Sequence, residues 1–204
     1  MTTTDIKQHY RQLLETYGDT FESAQYSSRE SQEARFDVLS SVGDLDHAKV
    51  LDFGCGTGHF ATYLKASGIQ CDYTGVDILE DFFPIAREKH PEARFAKYEE
   101  VCSEIFDYIF VSGVFNNKLD NNLVFFEETV KKLHAICDKA LAFNAMSTYV
   151  DYQDEGLWYV EPEYVFKFVK KLTPFVLFRN DYVVKDTSVP FEFTVFAYQN
   201  PNKT

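Results

Sequence analysis

Apolar residues along the chain recur every three to four positions in some stretches and alternate or run together in others, which separates helices from strands. Ile6, Tyr10, Leu13, Leu14 and Tyr17 share one helical face and predict a helix over residues 5–17, stopped at Gly18. A second helix is predicted after Ser27, because Ser27 and Glu30 stand at capping-box spacing. The apolar run at residues 50–53 predicts a strand, followed by a glycine-rich turn and a helix over about 58–67 that ends at Gly68. Strands are then predicted in CDYTGVD (71–77), ARFAKY (93–98), FDYIFVSG (106–113) and KALAFNAMS (139–147). Between them lie a helix that carries Pro84 in its first turn and stops at His90-Pro91, and another over 121–137. EPEYVFKFVKKL predicts a further helix, and PFVLFRNDYV and FEFTVFAYQ close the chain as two strands.

Strands alternating with helices imply right-handed crossovers and a mainly parallel sheet covered on both faces. The last two strands have no helix between them, so they are expected to pair as an antiparallel hairpin. No repeat, low-complexity run or linker interrupts the order, and 204 residues suit one domain with a substantial core. In such sheets ligands sit beyond the carboxyl ends of the strands, where the strand order reverses. Functional residues are therefore expected just after positions 53, 77, 98, 112 and 145.

The turn after the first strand reads Val50-Leu-Asp-Phe-Gly54-Cys-Gly56-Thr-Gly58-His59. A dinucleotide fingerprint wants G-x-G-x-x-G, and His59 stands where its third glycine would be, which counts against an NAD-type oxidoreductase. Asp77 ends the next strand, where a carboxylate can accept hydrogen bonds from both hydroxyls of a ribose. V-L-D-F-G-C-G-T-G, together with Y-T-G-V-D-I and the strand order, resembles the class I S-adenosylmethionine-dependent methyltransferases over about residues 45–199.

The resemblance implies an α/β three-layer Rossmann-like fold with a mainly parallel seven-strand sheet. It implies a core at 45–200 and an N-terminal helical cap at 1–44 over the cofactor, S-adenosylmethionine. Gly54, Cys55, Gly56 and Gly58 would line the methionine part of that cofactor, Asp52 would brace the turn, and Asp77 would hold the ribose. Ile78 would pack on the adenine, Tyr98 or Glu99 would meet its amino group, and Ser112 and Gly113 would face the methionine amine. A noncatalytic binder of the same cofactor is the other reading of these motifs.

On the helix after Ser27, Gln32 and Arg35 fall within the apolar arc formed by Phe36, Val38, Leu39 and Val42. A buried arginine needs an anion. Either the cofactor's carboxylate or an internal Asp or Glu would serve. Tyr26 is expected to close over the cofactor from just before this helix. The loops after the fourth and fifth strands bring Asn116, Asn117, Asn144, Tyr149, Trp158 and Tyr159 to the same edge. These suit a polar small molecule accepting methyl on O or N, with Asn116 and Tyr149 as candidate catalytic residues and 148–160 as a lid. The alternative for that loop is aromatic plugging of the sheet edge.

A formal charge of −12 argues against nucleic acid as the substrate and gives no reason to expect an anionic membrane. The N-terminus lacks the apolar core of a signal peptide and no run reaches transmembrane length. Cys55, Cys71, Cys102 and Cys137 show no paired spacing and the histidines are scattered, so a reduced, cytoplasmic, metal-free protein is expected.

Overall fold

In the computed structural model, which describes residues 1–185 and 189–201, seven strands join in one sheet. They are Lys49–Phe53 (β1), Asp72–Val76 (β2), Arg94–Ala96 (β3), Phe106–Val111 (β4), Cys137–Met146 (β5), Phe175–Arg179 (β6) and Glu192–Tyr198 (β7). The order is β3-β2-β1-β4-β5-β7-β6. Strands β1 to β5 pair in parallel, and β7 runs antiparallel to both β5 and β6. The terminal hairpin is therefore inserted with its second strand inward.

The helices are Thr3–Tyr17 (α1), Arg29–Ser40 (α2), His59–Ala66 (α3), Phe83–Lys89 (α4), Tyr98–Val101 (α5), Asn122–Ala135 (α6) and Pro162–Val169 (α7). They cover both faces of the sheet over two apolar cores. One core sets Phe126, Val130 and Leu133 of α6 and Val165 and Phe168 of α7 against Ile109, Leu141 and Phe143. The other sets Phe36 and Leu39 of α2, Phe60 and Leu64 of α3 and Ala86 of α4 against Val50, Phe110 and Phe196.

Local chemistry shifts some expected boundaries. Ser28, not Ser27, caps α2, its hydroxyl accepting from the Ser31 N–H at 3.0 Å. Tyr98 does not end a strand: β3 stops at Ala96 and Tyr98 opens α5. Among the described residues no helix is long and apolar enough to cross a membrane.

The register decides where the site lies. Phe53 at the end of β1 pairs with Val76 at the end of β2, so the glycine turn and Asp77 emerge side by side. On the other flank Asp52 pairs with Phe110, which brings Ser112 and Gly113 to the same edge. β1, between β2 and β4, is where the strand order reverses.

Candidate cofactor site

Gly54 and Cys55 both donate their N–H groups to the Val76 carbonyl, at 2.8 and 3.0 Å, which ties the turn to the end of β2. Gly54 has φ +86°, and a Cβ there would stand 2.3 Å from Val114 Cγ2, so only glycine fits. Gly58, at φ +79°, passes the chain from the turn into α3, and its neighbour His59 begins that helix. The Asp77 carboxylate completes the turn. One oxygen accepts from the Gly56 N–H and the other from the Leu79 N–H, each at 2.9 Å. Burial raises the Asp77 pKa, and the N–H groups of Leu79, Gly56 and Ile78 oppose that rise.

Asp52 does not brace the turn as expected. Its carboxylate is buried and accepts from the Tyr73 hydroxyl at 2.5 Å, while the turn's N–H groups go to Val76 and Asp77. Burial pushes its pKa from 3.8 up to about 7, the Tyr73 hydrogen bond pulls it down and the Asp77 charge adds to the rise. A carboxyl that holds its proton more tightly folded than unfolded favours the fold most below about pH 4, and that contribution is lost as pH rises towards 7. Asp52→Asn is accordingly expected to flatten the decline in melting temperature between pH 5 and pH 7 relative to the parent protein. An unchanged slope would show that Asp52 does not titrate there.

These residues open into a cavity of about 390 Å³, within the range of small-molecule sites. Gly54, Cys55, Gly56, Asp77, Tyr98 and Ser112 all line it. Ile78, 45% exposed, lines it as well, presenting apolar surface beside Asp77. The opposite wall is N-terminal. Ile6 and Tyr10 of α1, together with Asp19, Ser23 and Tyr26, face the cavity, and no residue of α1 is itself buried. The Tyr26 hydroxyl lies 3.1 Å from Ser112 Oγ, closing the wall onto the end of β4. Asn117 fastens it further by donating to Tyr10 Oη at 2.8 Å and to Gln25 Oε1 at 2.9 Å.

Four expectations about this site are corrected. Arg35 is inward, as its helical phase requires, but it does not line the cavity. Its Nε donates to Glu192 Oε2 at 2.8 Å and its Nη2 stands 2.6 Å from the same oxygen, with Ser31 taking Nη1. The internal carboxylate occupies it. Asn116 does not line the cavity either; its carbonyl accepts from the Trp158 N–H, and its neighbour Asn117 takes the buried, cavity-lining place. Tyr149 is 67% exposed and donates its hydroxyl to Glu163, outside the cavity. The proposed lid at 148–160 is instead pinned to the sheet edge. Ser147 bridges to Val160 and Asn117 to Leu157, and the Trp158 ring packs on Phe126 with centroids 5.7 Å apart.

Tyr149→Ala is expected to leave both stability and cofactor affinity essentially unchanged. Trp158→Ala, which empties part of the α6 core, should cost up to about 3 kcal/mol. Denaturant melts of both variants, alongside cofactor titrations, check the pair. A cofactor or turnover defect in a fully stable Tyr149→Ala variant would restore the lid.

Two polar α2 residues that line the cavity had no assigned ligand role: Arg29 and Gln32. Arg29 is the first residue of α2, outside the apolar arc, and the fold places that end of the helix over the glycine turn, with the guanidinium 2.7 Å from the His59 ring.

Residues 10–151 match the family model described as a methyltransferase domain, about two thirds of the chain. The chain belongs to the methyltransferase family. A protein of Mycobacterium tuberculosis carried under the name methyltransferase Rv1506c is 29% identical over 167 residues, covering 76% of this chain and 96% of that one. Trans-aconitate 2-methyltransferase of Rhizobium meliloti is 31% identical over a shorter stretch, 38% of this chain and 31% of the relative. Among solved structures, magnesium protoporphyrin IX methyltransferase of Synechocystis PCC 6803 with bound S-adenosylmethionine superposes with a TM-score of 0.68 at 14% identity, covering 97% of both chains. The DhpI–SAH complex gives 0.68 at 15% identity over 98% of both. The class I Rossmann-like fold expected from the motifs is the fold observed, and S-adenosylmethionine is the methyl donor of that class.

Proposed function

We propose that this methyltransferase moves the methyl group of S-adenosylmethionine to an O or N atom of a polar small molecule. The observation that carries the reading is the junction of Asp77 with the glycine turn at the mouth of a cavity walled by Ile78, Tyr26 and Ser112. In this arrangement the unused lone pairs of Asp77 take the ribose hydroxyls and the exposed flank of Ile78 takes the adenine. Tyr98 and Glu99 edge the adenine end, as their place in the cavity lining allows. Residues 1–44 form a cap over the bound cofactor, since α1 and residues 19–26 supply the facing wall.

The sulfonium carries the electrophilic methyl, so the protein's part is to bring the nucleophile in line and keep water out. Asn117, Tyr10 and Tyr26 supply polar groups at the cavity wall, suited to orienting a hydroxyl- or amine-bearing acceptor. The acidic balance of the chain disfavours nucleic acid as the acceptor.

Incubation with methyl-labelled S-adenosylmethionine and a fractionated metabolite extract tests the reading. Label should appear in a low-mass product and depend on intact Asp77. Transfer to nucleic acid or protein instead, or none to any fraction while the cofactor still binds, would overturn it.

A further inference from the structure

The wall opposite the glycine turn has hydrogens to give and little that can take a proton. Lys7 and Tyr10, both on α1, line the cavity there with Tyr26 and Asn117. Asn117 spends its side-chain N–H groups on Tyr10 Oη and Gln25 Oε1, at 2.8 and 2.9 Å. Tyr10 Oη is therefore already an acceptor, and its own O–H has no partner among the described residues. Tyr26 and Ser112 share one hydrogen bond at 3.1 Å, so the two hydroxyls have a second hydrogen left to donate. Burial raises the pKa of both phenols, so they keep their protons at neutral pH and act as donors. Lys7 adds a cation that makes no ion pair among the described residues.

The bases that line the cavity are committed elsewhere. Asp77 serves the turn, Asp52 accepts from Tyr73, Asp19 pairs with Lys89 at 2.9 Å and Glu80 with Lys97 at 2.7 Å. Glu99 stands beside Tyr98, at the end given to the adenine. His59, on the turn side, is held between Arg29 and Glu33. An alcohol or an ammonium must lose a proton before it attacks a methyl group, and no described residue of this wall is placed to take it. A carboxylic acid has already lost its proton at neutral pH.

On the reading that this cavity transfers methyl from S-adenosylmethionine, we propose that the acceptor is a small carboxylic acid, held as its carboxylate by the Tyr10 O–H and the Lys7 ammonium. One carboxylate oxygen gives a lone pair to the methyl carbon, the C–S bond breaks and its electron pair stays on sulfur. A carboxylate and a sulfonium thus become a methyl ester and a thioether, and no proton is released. Hydroxyl or amine groups elsewhere on the molecule serve as handles for the polar wall, not as the reacting atoms.

The product's stability to alkali tests the assignment. A methyl ester gives up its label as volatile methanol in mild alkali, whereas a methyl ether or a methylated amine keeps it. The protein is incubated with methyl-labelled S-adenosylmethionine and a metabolite extract, the unused donor is removed, and the low-mass fraction is treated with alkali. Release of the label as methanol is the expected result. Label that stays in a low-mass product would overturn the carboxylate while leaving the methyl-transfer reading in place, and no low-mass label at all would remove both. Two variants tie the chemistry to the wall. Tyr10→Phe should slow alkali-labile transfer from limiting extract by roughly ten- to a hundredfold. Lys7→Gln should slow it severalfold, by less as salt is raised. Both should bind S-adenosylhomocysteine as the parent does, which certifies the fold and the cofactor site. Full transfer by both variants, or a loss of S-adenosylhomocysteine binding that matches the loss of transfer, would overturn the roles of Tyr10 and Lys7.

Discussion

Glu192→Ala is expected to lower the melting temperature by roughly 6–20 °C, the largest effect of any single change considered. Glu192 and Arg35 are almost wholly buried, with side-chain exposures of 3% and 7%, and stand 2.6 Å apart. The Tyr182 hydroxyl and Asn144 Nδ2 also donate to the Glu192 carboxylate, at 3.0 and 3.4 Å. Removing the carboxylate leaves a buried guanidinium with the Ser31 oxygens and the Tyr26 ring but no anion, and a broken buried pair costs about 3–5 kcal/mol. At about 2–4 °C per kcal/mol for a chain of this size, that yields the stated shift. The same logic makes a contrasting claim. Arg35→Met combined with Glu192→Leu leaves no uncompensated charge and should recover most of the loss. A drop under about 2 °C for the single variant would mean that water reaches the pair. Because Arg35 belongs to α2 and Glu192 to β7, this pair also fixes the helix whose other face lines the cavity.

Asp77→Ala is expected to weaken S-adenosylmethionine by roughly ten- to a hundredfold, while the protein stays folded. Each charge-assisted hydrogen bond from a ribose hydroxyl contributes about 1.5–3 kcal/mol, and tenfold in affinity is about 1.4 kcal/mol. The structure adds a second loss. The Gly56 and Leu79 N–H groups lose their acceptor, so the turn is less fixed before the ligand arrives. Asp77→Asn retains one acceptor oxygen and should fall between the parent and the alanine variant. Titration of each variant with S-adenosylhomocysteine reads the series, and an unchanged dissociation constant for alanine would remove Asp77 from the site.

Much of this was legible in the sequence where a local rule leaves little choice. A strand running into three glycines, with an acid ending the next strand, specifies a sharp turn because the backbone angles observed at Gly54 and Gly58 exclude side chains. The inward phase of Arg35 followed from helical periodicity alone. Its partner did not, because Glu192 lies 157 positions away and only the sheet order brings it near. The loop at 148–160 misled for a related reason. Tyrosines and a tryptophan indicate apolar surface but not its direction, and Trp158 turned to Phe126 while Tyr149 turned to solvent. Arg29 lies outside the apolar arc of α2, so helical phase alone gives no reason to expect it at a ligand. Which side of that helix meets the cavity depends on how it crosses α3, and no local pattern records that.

Calorimetric titration of the parent protein with S-adenosylhomocysteine and, separately, with NAD tests the central claim most directly. The geometry of the turn, Asp77 and the cavity they open into predicts one site per chain for the nucleoside thioether and no heat of binding for the dinucleotide. Binding of NAD without S-adenosylhomocysteine would contradict the account.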